Sequence, residues 1–304
     1  MKSKGTQVNI QQSFSKLHTQ EGSPGKLYLV ATPIGNLEDM TFRAIRMLKE
    51  VSVIAAEDTR QTRKLLSHYD ISTKLVSYYA QNQDSSGIKL IQLLIAGKSI
   101  ALVSDAGIPA ISDPGYELVK LAIAEQIDVV PIPGANAALS ALIASGLSTH
   151  RFVFVGFLPR KKSQIMSELS RLRHHTETIL IYESPHRVEK TLLYMEQVWG
   201  GHRKICLARE LTKTFEELIR GSLSTCMEHV RLHPPRGEYC LVVEGSQDEP
   251  TQADSERWEH LTLDEHVHYY VSRGKLKKEA IKQVALDRKL QKREVYNFLM
   301  RIET

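Results

Sequence analysis

From Lys26 to Gly146 the chain alternates short apolar runs with stretches of helical spacing, and that pattern leaves few ways to fold. "KLYLVA", "SVIAA", "KLVSYY", "SIALVS" and "DVVPIP" predict strands. The stretches "TFRAIRMLKEV", "TRKLLSHY", "GIKLIQLLIAG", "YELVKLAIAEQ" and "ANAALSALIASG" predict helices. Strands alternating with helices of this length build βαβ units, and hence a parallel sheet with helices on its faces. The texture changes near Thr149–Phe152. Beyond it, "RFVFVGFL", "TILIYES", "KICLARE", "EELIRGSL" and "EYCLVVEG" read as more closely spaced strands, with "QIMSELSRLR" and "RVEKTLLYMEQV" as helices between some of them. This predicts a second α/β domain with a mixed, partly antiparallel sheet.

At 304 residues the chain is long enough for two cores. The expected organisation is a polar, disordered lead-in over 1–25, an N-terminal α/β domain over 26–148, a second α/β domain over 149–246, and a helical basic extension over 257–304. No run approaches the roughly 18 apolar residues of a membrane span. The N-terminus has no apolar core of a secretory signal. Cys206, Cys226 and Cys240 are an odd, sparse set without metal-ligand spacing. That pattern suits a reducing compartment and no disulfide framework. The net charge of +5 is mildly basic, and residues 265–304 concentrate ten Lys or Arg against five Asp or Glu. In that tail "KKEAIKQVALDRKLQKREVYNFLMR" has helical spacing on both sides of a break near Arg288–Gln291. The outline is a helix-turn-helix facing nucleic acid or, equally, a packing pair with a solvated basic face.

Ligands of open parallel sheets collect beyond the carboxyl ends of the strands. Three loops there are unusual. "TPIGNLED" (32–39) lacks the G-x-G-x-x-G of a dinucleotide site, and no G-x-x-x-x-G-K-[ST] phosphate loop occurs in the chain. "SDAGIPAISDPG" (104–115) spends twelve residues on a connection that needs about two to six. It places Asp105 directly after a strand, where it can accept hydrogen bonds from an amine or a ribose or else form a turn. In "PIPGANAALSAL" (131–142), Asn136 can cap the following helix, and small residues allow a flat ligand to approach. Together the loops suggest a cleft for an adenosine-like cofactor. "YESPHR" (182–187) and "ARELTKTFEE" (208–217) add carboxylates beside cations at two further strand ends, either as surface ion pairs or as the wall of a polyanion site. No Ser-His-Asp order, G-x-S-x-G elbow or H-E-x-x-H set is present, so hydrolase and metalloenzyme chemistry are poorly supported.

The same segments, with "FVGFLPRK" and "RGEYCLVVEG", occur in the order that characterises the tetrapyrrole-methylase superfamily of S-adenosylmethionine-dependent methyltransferases. The chain resembles that superfamily over about 26–245. Within it, the pattern is similar to the branch that acts on rRNA, because the first loop is "TPIGNL" where the small-molecule branch has a glycine-rich one. The resemblance implies two class III α/β domains with the cofactor in the cleft between them, a homodimer and a cytoplasmic location. It also implies 2′-O-methylation of one decoding-region cytidine in 16S rRNA of the small ribosomal subunit. Carried over by position, Pro33 and Gly35, then Ser104, Asp105, Ala106 and Ile108, then Asn136 and Ala137, and finally Tyr182 with Glu183 are expected at the cofactor. Asp113 and Gly115 shape the far side of the main loop. Two departures stand out: "AQNQD" replaces a His/Glu-rich segment after "SYY", and Asn136 stands where Ser or Thr is common.

A ribose hydroxyl is a poor nucleophile until its proton leaves, so a base is sought among the carboxylates. Glu57 and Asp58 are candidates, and Glu183 or Glu210 is favoured because each is expected beside the cleft. Arg60, Arg63, Arg160, Lys161, Lys162, Arg187, Arg209 and Lys213 are candidate contacts to the RNA backbone. The competing readings are a methylase of a tetrapyrrole or other small molecule, and a ribosome-binding protein that only senses the cofactor.

Overall fold

The computed structural model describes Gln11 and residues 23–247, 261–272, 275–288 and 290–302. The chain clusters into two compact units, one ending at Gly245 and the other running from Ser246 to Thr304. In the first unit, β1 (Leu27–Val30), β2 (Val53–Ala56), β3 (Leu75–Ser77), β4 (Ile100–Val103) and β5 (Val129–Ile132) form one parallel sheet in the order β3-β2-β4-β1-β5. β2 and β4 are buried at every position, which their unbroken apolar runs require of strands covered on both faces. The helices are α1 (Phe42–Glu50), α2 (Thr59–His68), α3 (Gln83–Ile95), α4 (Tyr116–Ala124) and α5 (Ala137–Ser145). Side chains start three of them: Thr41, Asp58 and Asn136 each accept a backbone N–H from the first turn. Gly115 starts α4 at φ 145°, and a Cβ there would lie 2.9 Å from Leu102 Cδ2 and 3.1 Å from the Ala110 Cβ. No side chain fits that corner.

The second sheet follows from β6 (Phe152–Phe157), β7 (Thr178–Glu183), β8 (Lys204–Arg209), β9 (Glu217–Ser222) and β10 (Tyr239–Val243), in the order β6-β7-β10-β8-β9. β6 and β7 run parallel, and the remaining pairs are antiparallel, so the sheet is mixed as expected. Its two faces separate by strand parity. Leu241 and Val243, with Ile179, Ile181, Ile205 and Leu207, pack under α6 (Lys162–Leu172), α7 (Val188–Trp199) and α8 (Leu223–Leu232). Their alternates, Cys240, Val242, Leu180, Cys206 and Ala208, face Ala138, Ala141 and Leu142 of α5. Thus α5 follows the first sheet in the chain and covers the second in space. The small residues of "CLA" and "YC" leave room for the helix, and all three cysteines are buried and free.

The helical unit contains α9 (Leu263–Val271), α10 (Lys277–Asp287) and α11 (Lys292–Ile302), around a core of Val267, Ala280, Ile281, Val284, Ala285, Val295 and Leu299. The break between α10 and α11 falls where the spacing placed it. No helix of the described residues is long and apolar enough to cross a membrane. The lead-in expected over 1–25 lies largely outside the described residues, as does the start of the extension expected over 257–304. Gln11 is the exception: its Nε2 donates to the Val129 carbonyl and its Oε1 accepts the Val129 N–H, both at 2.8 Å, as a neighbouring strand would on edge strand β5. One boundary differs from expectation. "AQNQD" forms a 3₁₀ turn (Ala80–Asn82) that runs into α3 at Gln83, four residues earlier than the apolar spacing begins. Polar first-turn residues carry no hydrophobic period, so spacing alone could not mark that start.

Candidate active site

The carboxyl ends of the first sheet and one set of strand ends of the second enclose a cavity of about 460 Å³, within the ordinary range for a small-molecule site. Ile34 comes from the loop after β1, Asp105–Ile108 and Ile111–Asp113 from the loop after β4, and Asn136 and Ala137 from the start of α5. The opposite wall is Phe157, Tyr182–Pro185, Ala208, Glu210, Leu211, Lys213 and Glu238–Cys240. The first two loops are tied together: Thr32 and Gly107 exchange backbone hydrogen bonds of 2.8 and 3.1 Å, with Gly107 at φ 77°. The third is tied to the opposite wall, because the Ala138 N–H donates to the Tyr182 hydroxyl at 3.2 Å. Tyr182 also packs against Phe154 and Phe157, with ring centroids 5.1 and 5.6 Å away.

Asp105, Ala106, Ile108, Asn136, Ala137, Tyr182 and Glu183, expected at the cofactor, line this cavity. Pro33, Gly35 and Ser104 stand outside its lining. Ser104 is buried and donates from its hydroxyl to the Ala106 carbonyl at 3.2 Å. From the first loop it is Ile34 that faces the cavity. At Gly35 a Cβ would come within 2.4 Å of Lys213 Cγ, so the glycine admits the Lys213 stem. Asp105 and Asn136 also have local structural roles. Asp105 Oδ1 accepts the Asp58 N–H at 3.0 Å, and Asn136 Oδ1 accepts the Leu139 N–H at 2.8 Å.

The carboxylates differ sharply in how they are held. Glu183 is 1% exposed; Oε2 accepts the Thr191 hydroxyl at 2.7 Å, while Oε1 accepts the Ser184 N–H at 2.8 Å and lies 3.4 Å from Arg187 Nε. Glu210 Oε1 accepts from Lys213 Nζ and the Glu238 N–H, both at 2.9 Å. Burial raises the Glu210 pKa, but those two donors and the nearby cations outweigh it, and the net shift is downward. Asp113 moves the other way. Burial pushes its carboxyl up to about 6 against a hydrogen bond from Ser104, and the Asp105 charge adds to the rise. Tyr182 is pushed to about 12, chiefly by burial.

The eight basic residues also divide. Arg63, Arg160, Lys161 and Lys162 are exposed, with Lys162 Nζ 5.5 Å from the Tyr194 ring centroid. Arg60 is exposed and pairs with Asp58 at 3.0 Å. Arg187 donates to the Leu158 and Pro159 carbonyls, and Arg209 to the Arg236 carbonyl and Glu217, so both hold loops in place. Lys213 lines the cavity, bound to Glu210 and Glu238.

The model of the tetrapyrrole (corrin/porphyrin) methylases matches residues 26–226. The chain belongs to this family. It is 55% identical to the ribosomal RNA small subunit methyltransferase I of Halalkalibacterium halodurans over 290 residues, 95% of this chain and 98% of that protein. Against the protein of the same name from Bacillus subtilis it is 55% identical over 273 residues, covering 90% and 93%. Among solved structures, the uroporphyrin-III C-methyltransferase of Thermus thermophilus complexed with S-adenosyl homocysteine matches with a TM-score of 0.50 and 18% identity, over 72% of this chain and 97% of that one.

Several lining residues of this methylase were not anticipated as site residues: Ile111, Ser112, Phe157, Leu211, Glu238 and Tyr239. All six lie inside segments that carry the family resemblance, so those segments held the signal. Asp113 was expected only to shape its loop, yet it faces the cavity of the methylase between two residues of unusual backbone, Ser112 at φ 63° and Gly115 at φ 145°.

Proposed function

We propose that this methylase transfers a methyl group from S-adenosylmethionine to the ribose 2′-hydroxyl of one cytidine in 16S rRNA of the small ribosomal subunit. The observation that carries the reading is the 55% identity, over nearly the whole of both chains, to a protein named for small-subunit rRNA methylation. The site fits the cofactor. Loops fixed to one another form a backbone cradle at Ala106–Ile108, the Phe157 and Tyr182 rings supply an apolar wall, and Asp105 gives negative charge for a sulfonium. Asp105, Ala106, Ile108, Asn136, Ala137 and Tyr182 would hold it, with Pro33, Gly35 and Ser104 supporting the loops from behind.

Bound S-adenosylmethionine supplies an electrophilic methyl group. The chain's task is to position the ribose, worth on the order of 7–11 kcal/mol in a reaction of this kind, and to accept the hydroxyl proton. That acceptor is Asp113. Its carboxylate faces the cavity and is ionised above about pH 6, whereas Glu183 and Glu210 are committed to Thr191, Arg187 and Lys213. Exposed Arg63, Arg160, Lys161 and Lys162, with Arg60, suit phosphate contacts; Arg187, Arg209 and Lys213 suit the alignment of the wall.

The protein works as a cytoplasmic homodimer. Support for the dimer comes from large apolar side chains left outside: Phe42 at 93% exposure, Ile143 at 77% and Phe215 at 72%. Leu139 and Ile143 share one face of α5 by their four-residue spacing.

Labelled methyl transfer to small subunits that lack the modification tests the activity. One cytidine linkage made resistant to alkaline cleavage is the expected product. Cofactor binding without incorporation into any RNA would overturn the reading in favour of the small-molecule or sensor alternatives.

A further inference from the structure

The helical unit carries a groove that the methyl-transfer site does not use. It encloses about 400 Å³ between α10 and α11. Lys277, Lys278 and Lys292 form its rim, Ile281 and Leu299 its floor, and Tyr296 and Met300 its far side. The floor residues belong to the core of the unit, and their burial fixes the two helices against each other. The far side is open: Tyr296 is 49% exposed and Met300 42%. Lys292, Tyr296 and Met300 recur at four-residue steps, so a cation, an aromatic ring and a polarisable thioether form one stripe along α11.

Charge in this unit is arranged to leave that rim positive. Among the described residues, no carboxylate lines the groove. Asp287 accepts from the Tyr270 hydroxyl at 2.6 Å and from Gln283 at 2.9 Å. Glu294 accepts the Gln291 N–H at 2.9 Å and so caps α11. Among the described residues, neither Lys278 nor Lys292 has an acidic partner. Lys275, in contrast, is held by Gln283 and stands over the Tyr270 ring. Cations flanking an exposed ring on an apolar floor suit a ligand with phosphate and a planar base in adjacent positions. An unpaired nucleotide has that combination, and base–aromatic stacking tolerates any sequence. An acidic peptide would satisfy the lysines but bring no planar partner for Tyr296.

We propose that the α10–α11 groove binds a single-stranded RNA segment, with phosphates on Lys278 and Lys292 and a base stacked on Tyr296. The source of that RNA, the small subunit, rests on the function proposed above.

The full-length protein is tested with a fluorescein-labelled, mixed-sequence single-stranded RNA and, separately, with small subunits as methyl acceptor. Lys278→Ala with Lys292→Ala should lower the slope of log affinity against log salt for the oligonucleotide by about 1.4, two single-strand phosphate contacts. Tyr296→Ala should weaken oligonucleotide binding about tenfold, within the range for loss of one stacked base, and Tyr296→Phe should restore it. For subunits, KM should rise with kcat and S-adenosyl homocysteine affinity unchanged. Unaltered oligonucleotide affinity and salt slope in both variants would overturn the proposal. A rise in KM for subunits without any change on the oligonucleotide would also overturn it, and would indicate a protein partner. If the wild-type protein methylates no subunit while the variants still lose oligonucleotide binding, the groove stands and the activity assignment falls.

Discussion

Asp113 is the proposed acceptor of the ribose proton. Its pKa is raised to about 6, so the proton-accepting form is lost below that value and populated above it. Single-turnover methyl transfer should therefore climb with pH through about 6 and level off. Asp113→Asn should remove that limb and slow the step by about 10²- to 10⁴-fold, the usual contribution of a positioned base. Cofactor affinity, read by calorimetry, should persist. A limb that survives in Asp113→Asn would return the assignment to Glu210 or Glu183. Residue by residue, the sequence revealed acids and strand ends but not their state. In "SDAGIPAISDPG" the sequence favoured Asp105 as a ligand contact and left Asp113 a shaping role. Only the folded loop separates Asp105, which accepts the Asp58 N–H, from Asp113, which loses water to the cavity wall. Likewise, nothing in "YESPHR" signals that Thr191, a turn along α7, takes one oxygen of Glu183.

At the scale of elements, α5 is the part that brings the two walls together. Its N-terminus presents Asn136 and Ala137 to the cavity, and Ala138, Ala141 and Leu142 lie against Cys206 and Cys240 of the second sheet. Cys206→Leu should overpack that contact and destabilise the protein by about 1–3 kcal/mol. It should also weaken cofactor binding without touching the site. Thermal melting and calorimetry on one preparation check both effects; a lower melting temperature with unaltered affinity would separate the helix from the site. The strands were legible from apolar runs and the mixed second sheet from closer spacing. The partner of α5 was not legible, because "AALSALIAS" is apolar nearly all round and has no single face to read. The early start of α3 was hidden for the opposite reason, a first turn without apolar residues.

On the scale of the whole molecule, the described lining residues of the cavity of about 460 Å³ all belong to the first unit. Removal of 258–304 should leave S-adenosyl homocysteine affinity unchanged and raise KM for small subunits. Affinity lost in the truncated protein would contradict that division of labour. The break within the tail and its basic balance were both readable from sequence. The alternative between a nucleic-acid face and a packing pair was not, since the same helices carry a packed side and an exposed basic side: Ile281 and Leu299 pack while Lys292 and Tyr296 stay outside.

The position of α5 also limits how this chain can be cut. A break after residue 148 looks natural in the sequence, yet it would leave the amino-terminal piece with a helix whose small apolar side has lost its cover, and the carboxyl-terminal piece with an uncovered sheet face. Each fragment expressed alone should aggregate, whereas co-expression should yield a soluble pair that regains cofactor binding. In such a split protein, α5 would be the clasp.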